Sequence, residues 1–264
     1  MNDMAQFQRL VEALAPWHDR IVFVGGWAHR LYRAHPLARV PNYPPLTTKD
    51  ADIAFPSHAR LEGSIRDALL HAGFREELLG DNRPPVSHYT LGDEDSGFYA
   101  EFLTPLTGSG IRRSGEPDAT TKIAGVTAQK LRHLDVLLVQ PWQASLAANL
   151  APSLSVPNPV SFVMQRILIR NDRKPGKRAQ DALYIHDTLE LFAGEAGALT
   201  ELWREHVAPS LTRKQRREIE LGAHEMFSGV GDTLRDAAVI AQERGLAPER
   251  IRSLCDRVLR TVFE

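Results

Sequence analysis

The chain has 264 residues, 25% of them charged, a formal net charge of −1 and a single cysteine. That balance supplies no global basic field, so nucleic-acid binding could come only from a local patch. One cysteine excludes an intramolecular disulfide framework, and no apolar run approaches the roughly twenty residues that span a bilayer.

The N-terminus carries neither a basic block nor a signal-like apolar one, so the expectation is a soluble cytoplasmic protein, long enough for two domains. Phe7, Leu10, Val11 and Leu14 repeat at the spacing of one helical face over residues 3–16, and Pro16 ends that helix. An apolar run, Ile21 to Val24, reads as a strand, followed by a Gly25-Gly26 turn and a helix from Trp27 to about Ala34. Trp27 is expected to pack between helix and sheet, His29 to lie on the helix surface. Four prolines make 36–46 an irregular loop. A second strand covers Asp50 to Phe55, and Leu61, Ile65, Leu69 and Leu70 mark a helix ending at His71 near Gly73.

From Phe74 to about Leu146 the pattern changes to short strands: Phe74–Leu79, His88–Leu91, Phe98–Leu103 and others within 123–146. The glycine-rich loop 107–119 carries Arg112 and Arg113 at its centre, a hairpin tip or a mobile basic flap. Gln129 to Leu138 becomes continuously apolar, as an interior strand would. Pro152, Pro157 and Pro159 punctuate a linker, and the chain beyond is helical, with Cys255 on an apolar stripe as a buried thiol. The division expected is residues 1–150, mixed α/β, and 151–264, helical.

The chemistry concentrates at Asp50 and Asp52. Residues two apart on a strand share a face, so both carboxylates can meet one pair of divalent ions while Ala51 and Ile53 face the core. Two magnesium ions held by carboxylates stabilise the attacking and leaving oxygens of an in-line displacement at phosphorus. Magnesium keeps several waters, so two or three acidic side chains suffice. The glycine pair lets backbone N–H groups approach a triphosphate, and a helix starting there points its positive end at that charge. Glu101 lies on the strand Phe98–Leu103.

Strand, Gly-Gly, helix and then Asp-x-Asp resembles the DNA polymerase beta-like nucleotidyltransferase superfamily. A mixed half followed by a helical half looks like its small bacterial members, including abortive-infection and Men-type toxins. The resemblance implies a nucleotidyltransferase-fold mixed sheet with flanking helices, an α/β (α+β) fold. It implies Mg2+-dependent (or Mn2+-dependent) transfer of a nucleoside monophosphate from a nucleoside triphosphate to a hydroxyl, with pyrophosphate released. Asp50, Asp52 and Glu101 would be the ligands, with Glu101 a base for the acceptor. The superfamily usually has Asp at that third position, so Glu101 departs from it.

Six cations lie between 166 and 178, namely Arg166, Arg170, Arg173, Lys174, Lys177 and Arg178. Pro175-Gly176 interrupts the run and starts a new helix, on which Lys177, Asp181 and Tyr184 form one stripe. The position resembles the basic helical start and following Asp that small nucleotidyltransferases use on the triphosphate. Gly25, Gly26, Thr48, Lys177, Arg178 and Asp181 therefore form the expected nucleotide-binding set. A later run, Arg213 to Arg217 after the helix cap Thr212, reads as a solvated face.

The acceptor stays open among tRNA or other RNA, a protein and a small molecule. Gly-Gly-Trp-Ala before Asp-x-Asp also looks like aminoglycoside adenylyltransferases, and the toxin likeness would bring an antitoxin partner. A catalytically silent member that binds only nucleotide or a partner protein is the other alternative. Unused buried carboxylates would repel each other, which argues against it. No His-Glu-x-x-His or Gly-x-Ser-x-Gly pattern occurs, disfavouring a zinc site and a hydrolase triad.

Overall fold

The computed structural model describes residues 3–57, 59–92, 97–146 and 153–263. α1 (Asp3–Ala13) buries Phe7, Leu10 and Val11, the expected face, and a single 3-10 turn at Ala15–Trp17 follows it. β1 (Val22–Val24) leads directly into α2 (Gly25–Tyr32). β2 (Asp50–Ala54) follows, then α3 (Ile65–His71), whose cap Ser64 accepts the Asp67 N–H.

β3 (Arg75–Leu79), β4 (Val86–Leu91), β5 (Phe98–Pro105), β6 (Thr120–Ile123) and β7 (Val126–Leu131) complete a seven-stranded sheet. Its order is β1-β2-β5-β4-β3, with β7 beside the end of β5 and β6 beside β7. The β2–β5 and β5–β7 pairs are parallel and the rest antiparallel, so the sheet is mixed.

The expected interior strand over 129–138 is corrected. β7 stops at Leu131, His133 takes a left-handed conformation (φ 60°), and α4 (Leu134–Leu137) follows. Leu134 and Leu137 sit at i and i+3, and they pack on Val22, Val24, Ala54 and Leu103; the run is apolar because it caps one sheet face. The linker reading at 152–159 is corrected as well. β8 (Trp142–Ser145) pairs antiparallel with β9 (Ser153–Val156), on either side of the 150 division.

The helices beyond begin with α5 (Pro159–Leu168), buried along its whole length, with Asn158 capping the Ser161 N–H and donating to Val139 O at 2.8 Å. α6 (Pro175–Phe192) starts on its proline, where the missing N–H costs nothing. α7 (Ala196–Leu202) runs through a π turn, Trp203–Val207, into α8 (Ala208–Ser210). α9 (Arg213–Phe227) opens with a capping box between Thr212 and Gln215. α10 (Asp232–Ile240) and α11 (Pro248–Phe263) end the chain.

The two sheet faces differ, and that difference positions the site. Phe23, Ile53, Phe102 and Tyr89 face α1 and α3 in the main core. That core continues through Phe162 and Ile167 of α5 to Cys255, buried and free, and Val262 of α11. The opposite face is apolar only where α4 covers it; further along, it turns acidic.

Candidate active site

β2 and β5 run parallel with Asp52 opposite Glu101 and Asp50 opposite Tyr99. Strand alternation sends Ala51 and Ile53 to the fully buried face and the three carboxylates to the other. All three line one cleft of about 400 Å³, floored by Val24, Gly25 and Leu103. The strand pairing thus brings Glu101 beside Asp50 and Asp52, which lie far earlier in the sequence.

Gly25 has a left-handed backbone (φ 64°), and a Cβ there would collide with the Asp52 carboxylate. Glycine is required at this position on both counts. Gly26 does not line the cleft; it is buried against the Thr48 side chain. Thr48 in turn hydrogen-bonds the Asp50 carboxylate. Gly26 and Thr48 therefore aim Asp50 from behind, whereas Gly25 forms part of the cleft surface.

The carboxylates are short of compensating charge. Among the described residues neither Asp50 nor Asp52 has an ion-pair partner, and Glu101 has only His88, Nε2 to Oε1 3.5 Å. Burial pushes the Asp52 carboxyl up to about 7, and the charges of Asp50 and Glu101 push in the same direction; Arg166 and Arg173 oppose them. Beside the triad the His88 ring stacks on Tyr99, centroids 5.0 Å apart. Burial, then Asp50 and Glu101, raise the Tyr99 phenol above its ordinary range.

Arg166, Arg173 and Lys177 form the facing wall. Arg166 is buried, its guanidinium over the Phe162 and Tyr184 rings at 4.2 and 4.5 Å. Asp181 accepts from Arg166 Nη1 at 2.6 Å with one oxygen and from Arg173 Nε at 2.9 Å with the other. Asp181 thus holds two cations toward the cleft. Sequence reasoning named Arg166 and Arg173 in the basic run but left them out of the binding set, since only the fold shows Asp181 reaching back to both. His88 and Tyr99 were missed too, though the alternation that placed Glu101 on this face also places Tyr99 there.

Arg178 does not line this cleft; it lines a separate cavity, with Arg166 in the walls of both. His29 is corrected outright. It is fully buried, with its ring 5.0 Å from Tyr184, and burial pushes its pKa down to about 4 against the pull of Asp187, so it is neutral. Arg112 in the 107–119 loop is tied to Asp118 at 3.3 Å and to two backbone carbonyls, while Arg113 is exposed.

A second cluster, His186, Asp187 and Glu190 on α6, brings its potential ligand atoms within 4.8 Å of one another. Its oxygens are already engaged. Asp187 accepts from Arg244 at 2.7 Å and from His186 at 3.0 Å, Glu190 accepts from Arg250 at 3.2 Å, and both accept from Tyr43. This cluster fastens the 36–46 loop to α6.

A family profile described as Nucleotidyltransferase matches residues 2–208, a span that holds the sheet, the acidic triad and the basic wall. The chain belongs to this nucleotidyltransferase family. The family carries the general reaction, transfer of a nucleotidyl group, so this nucleotidyltransferase is an enzyme of that class. No curated protein sequence matches the chain. No described helix is long and apolar enough to cross a membrane.

Proposed function

We propose that the cleft performs divalent-metal-dependent transfer of a nucleoside monophosphate from a nucleoside triphosphate to an acceptor hydroxyl. The observation that carries this is the triad itself: Asp50, Asp52 and Glu101 on one sheet face with no Lys or Arg partner among the described residues, opposite a wall of cations of which Asp181 holds two. The donor set fits magnesium, an ion that takes oxygen ligands. Asp52, pushed to about 7 by burial and its two acidic neighbours, is a carboxylate whose ionised form gains from a cation. Once bound, the ions supply charge stabilisation for the attacking and leaving oxygens.

The chain's own residues do the remainder. Thr48 orients Asp50, and Gly25 clears space at the start of α2, whose N-terminal N–H groups favour a phosphate. Lys177, Arg173 and Arg166 face the triphosphate and the departing pyrophosphate, where multiple charges need cationic partners. Asp181 keeps two of those cations in place. Glu101 accepts the proton of the acceptor hydroxyl, with His88 alongside it at 3.5 Å. The catalytic part is the sheet-bearing segment 1–150, and 151–264 supplies the basic wall.

The test is incubation with each α-labelled triphosphate and Mg2+ in the presence of total tRNA, a protein extract or an aminoglycoside, followed by analysis of what becomes labelled. Label on RNA supports a tRNA-directed enzyme, and label on the drug an aminoglycoside-type one. Label that appears equally with Asp52→Asn would rule the triad out as the catalytic centre.

A further inference from the structure

A second cavity of about 110 Å³ lies between α5, the start of α6 and the turn from α9 to α10. Three arginines stand in its wall. Arg166, Arg170 and Arg178 face it, and the carboxylates in its wall are taken: Asp181 by Arg166 and Arg173, Glu225 by Arg170 Nε at 2.8 Å. Arg178 has no side-chain hydrogen bond or ion pair among the described residues, and its Nε is shielded from solvent without a partner. Arg166, only 6% exposed, also leaves its Nε unpartnered. Guanidinium N–H groups withdrawn from water and left unmet are costly, and both residues that carry them line this cavity.

A third donor set points the same way. α10 begins at Asp232, its cap Gly231 offers no side-chain cap, and Gly231, Thr233 and Leu234 line the cavity. The positive end of that helix therefore borders the space that the arginines line, with the Leu234 N–H taken by Gly231 O at 3.2 Å. Asp232 itself is turned onto Arg235 at 2.8 Å.

We propose that this cavity is an anion site that takes a phosphate group, held by Arg178 and the first turn of α10. The volume suits one phosphate and falls well short of the roughly 300 Å³ and more of a nucleotide-sized pocket. A tetrahedral oxyanion matches the planar fork of a guanidinium on one side and helix N–H groups on the other. Arg166 stands in the wall of both this cavity and the acidic cleft, so an occupied phosphate site steadies a residue of the basic wall. The inference stands independently of what the acidic cleft catalyses.

The test is calorimetric titration of the full chain with inorganic phosphate at constant ionic strength. A short oligonucleotide with and without a 5′-phosphate then distinguishes free phosphate from a phosphate carried on a nucleic acid. Wild type binds phosphate, Arg178→Ala weakens it tenfold or more, and Arg178→Lys, which keeps charge but loses the fork, falls between. Lys177→Ala, on the cleft side of the same helix, changes it less than twofold. A 5′-phosphate preference that disappears in Arg178→Ala assigns the site to a nucleic-acid end; no preference assigns it to free phosphate. Absence of phosphate binding, or loss in Lys177→Ala with retention in Arg178→Ala, overturns the proposal. Melting curves without phosphate confirm that each variant is folded.

Discussion

At Asp52 one side chain carries opposite demands of stability and chemistry. Its unfolded value is 3.8 and its folded value about 7, so the native state binds the extra proton between those limits. Stability is therefore lost as pH rises through about 4 to 7 and changes no further above that window. Asp52→Asn removes the penalty and should stabilise the metal-free protein by roughly 2–4 kcal/mol at pH 8, with a smaller gain at pH 5. Thermal melts of both proteins in chelator at the two pH values check this; an equal gain at both would contradict it. The same substitution abolishes transfer. Glu101 gives a graded companion: Glu101→Gln should eliminate activity, whereas Glu101→Asp keeps a fraction because charge survives at a misplaced distance.

The shared face of Asp50 and Asp52 was legible in the sequence because strand alternation is a local rule; Glu101 came from the resemblance, and its place opposite Asp52 is a property of the sheet. The role of Asp181 was not legible. Resemblance put Asp181 in the nucleotide-binding set, but its contacts depend on α5 lying beside α6 so that Arg166, fifteen residues earlier, reaches it. His29 misled for the same reason, since eight residues of α2 do not reveal that α5 and α6 close over its outer face.

Among the elements, the β1–α2 junction is the most constrained. Gly25→Ala should strain a left-handed backbone by about 1–3 kcal/mol and drive its Cβ into Asp52, so transfer should fall further than stability alone would explain. Activity measured at a temperature where the variant is fully folded checks that. The α5–α6 pair carries the second expectation. Asp181→Ala leaves a buried Arg166 unpaired and should cost about 3–5 kcal/mol, whereas Lys177→Ala, on an exposed first turn, should leave melting unchanged and weaken nucleotide binding by roughly 1.5–3 kcal/mol. Where sequence reasoning failed at this scale, it failed on short apolar stretches. Leu134 to Leu138 has too few residues to show a helical period, and only its partners, Val22, Ala54 and Leu103, make it a helix cap on the sheet.

Over the whole molecule, the α/β character and the helical second half were visible in the order of patterns, and the mixed sheet followed from the resemblance. How the halves join was not visible. One apolar cluster runs from Phe7 of α1 to Val262 of α11 through α5, buried along its length, and β8 pairs with β9 across the expected division. A chain cut after residue 150 would expose the surface that α5 covers, so it should fail to fold, and the full protein should unfold in a single cooperative transition by circular dichroism and calorimetry. Two separated transitions would show halves that are stable on their own.

The central claim, that the triad and the basic wall together form a metal-dependent nucleotide site, is tested most directly by titrating a nonhydrolysable nucleoside triphosphate into the protein. The titration is run with Mg2+ and with a chelator, for wild type and Asp52→Asn. The account predicts tight binding by wild type with Mg2+, loss of at least tenfold in chelator, and an Asp52→Asn protein indifferent to the metal. Equal affinity in all four experiments would contradict it.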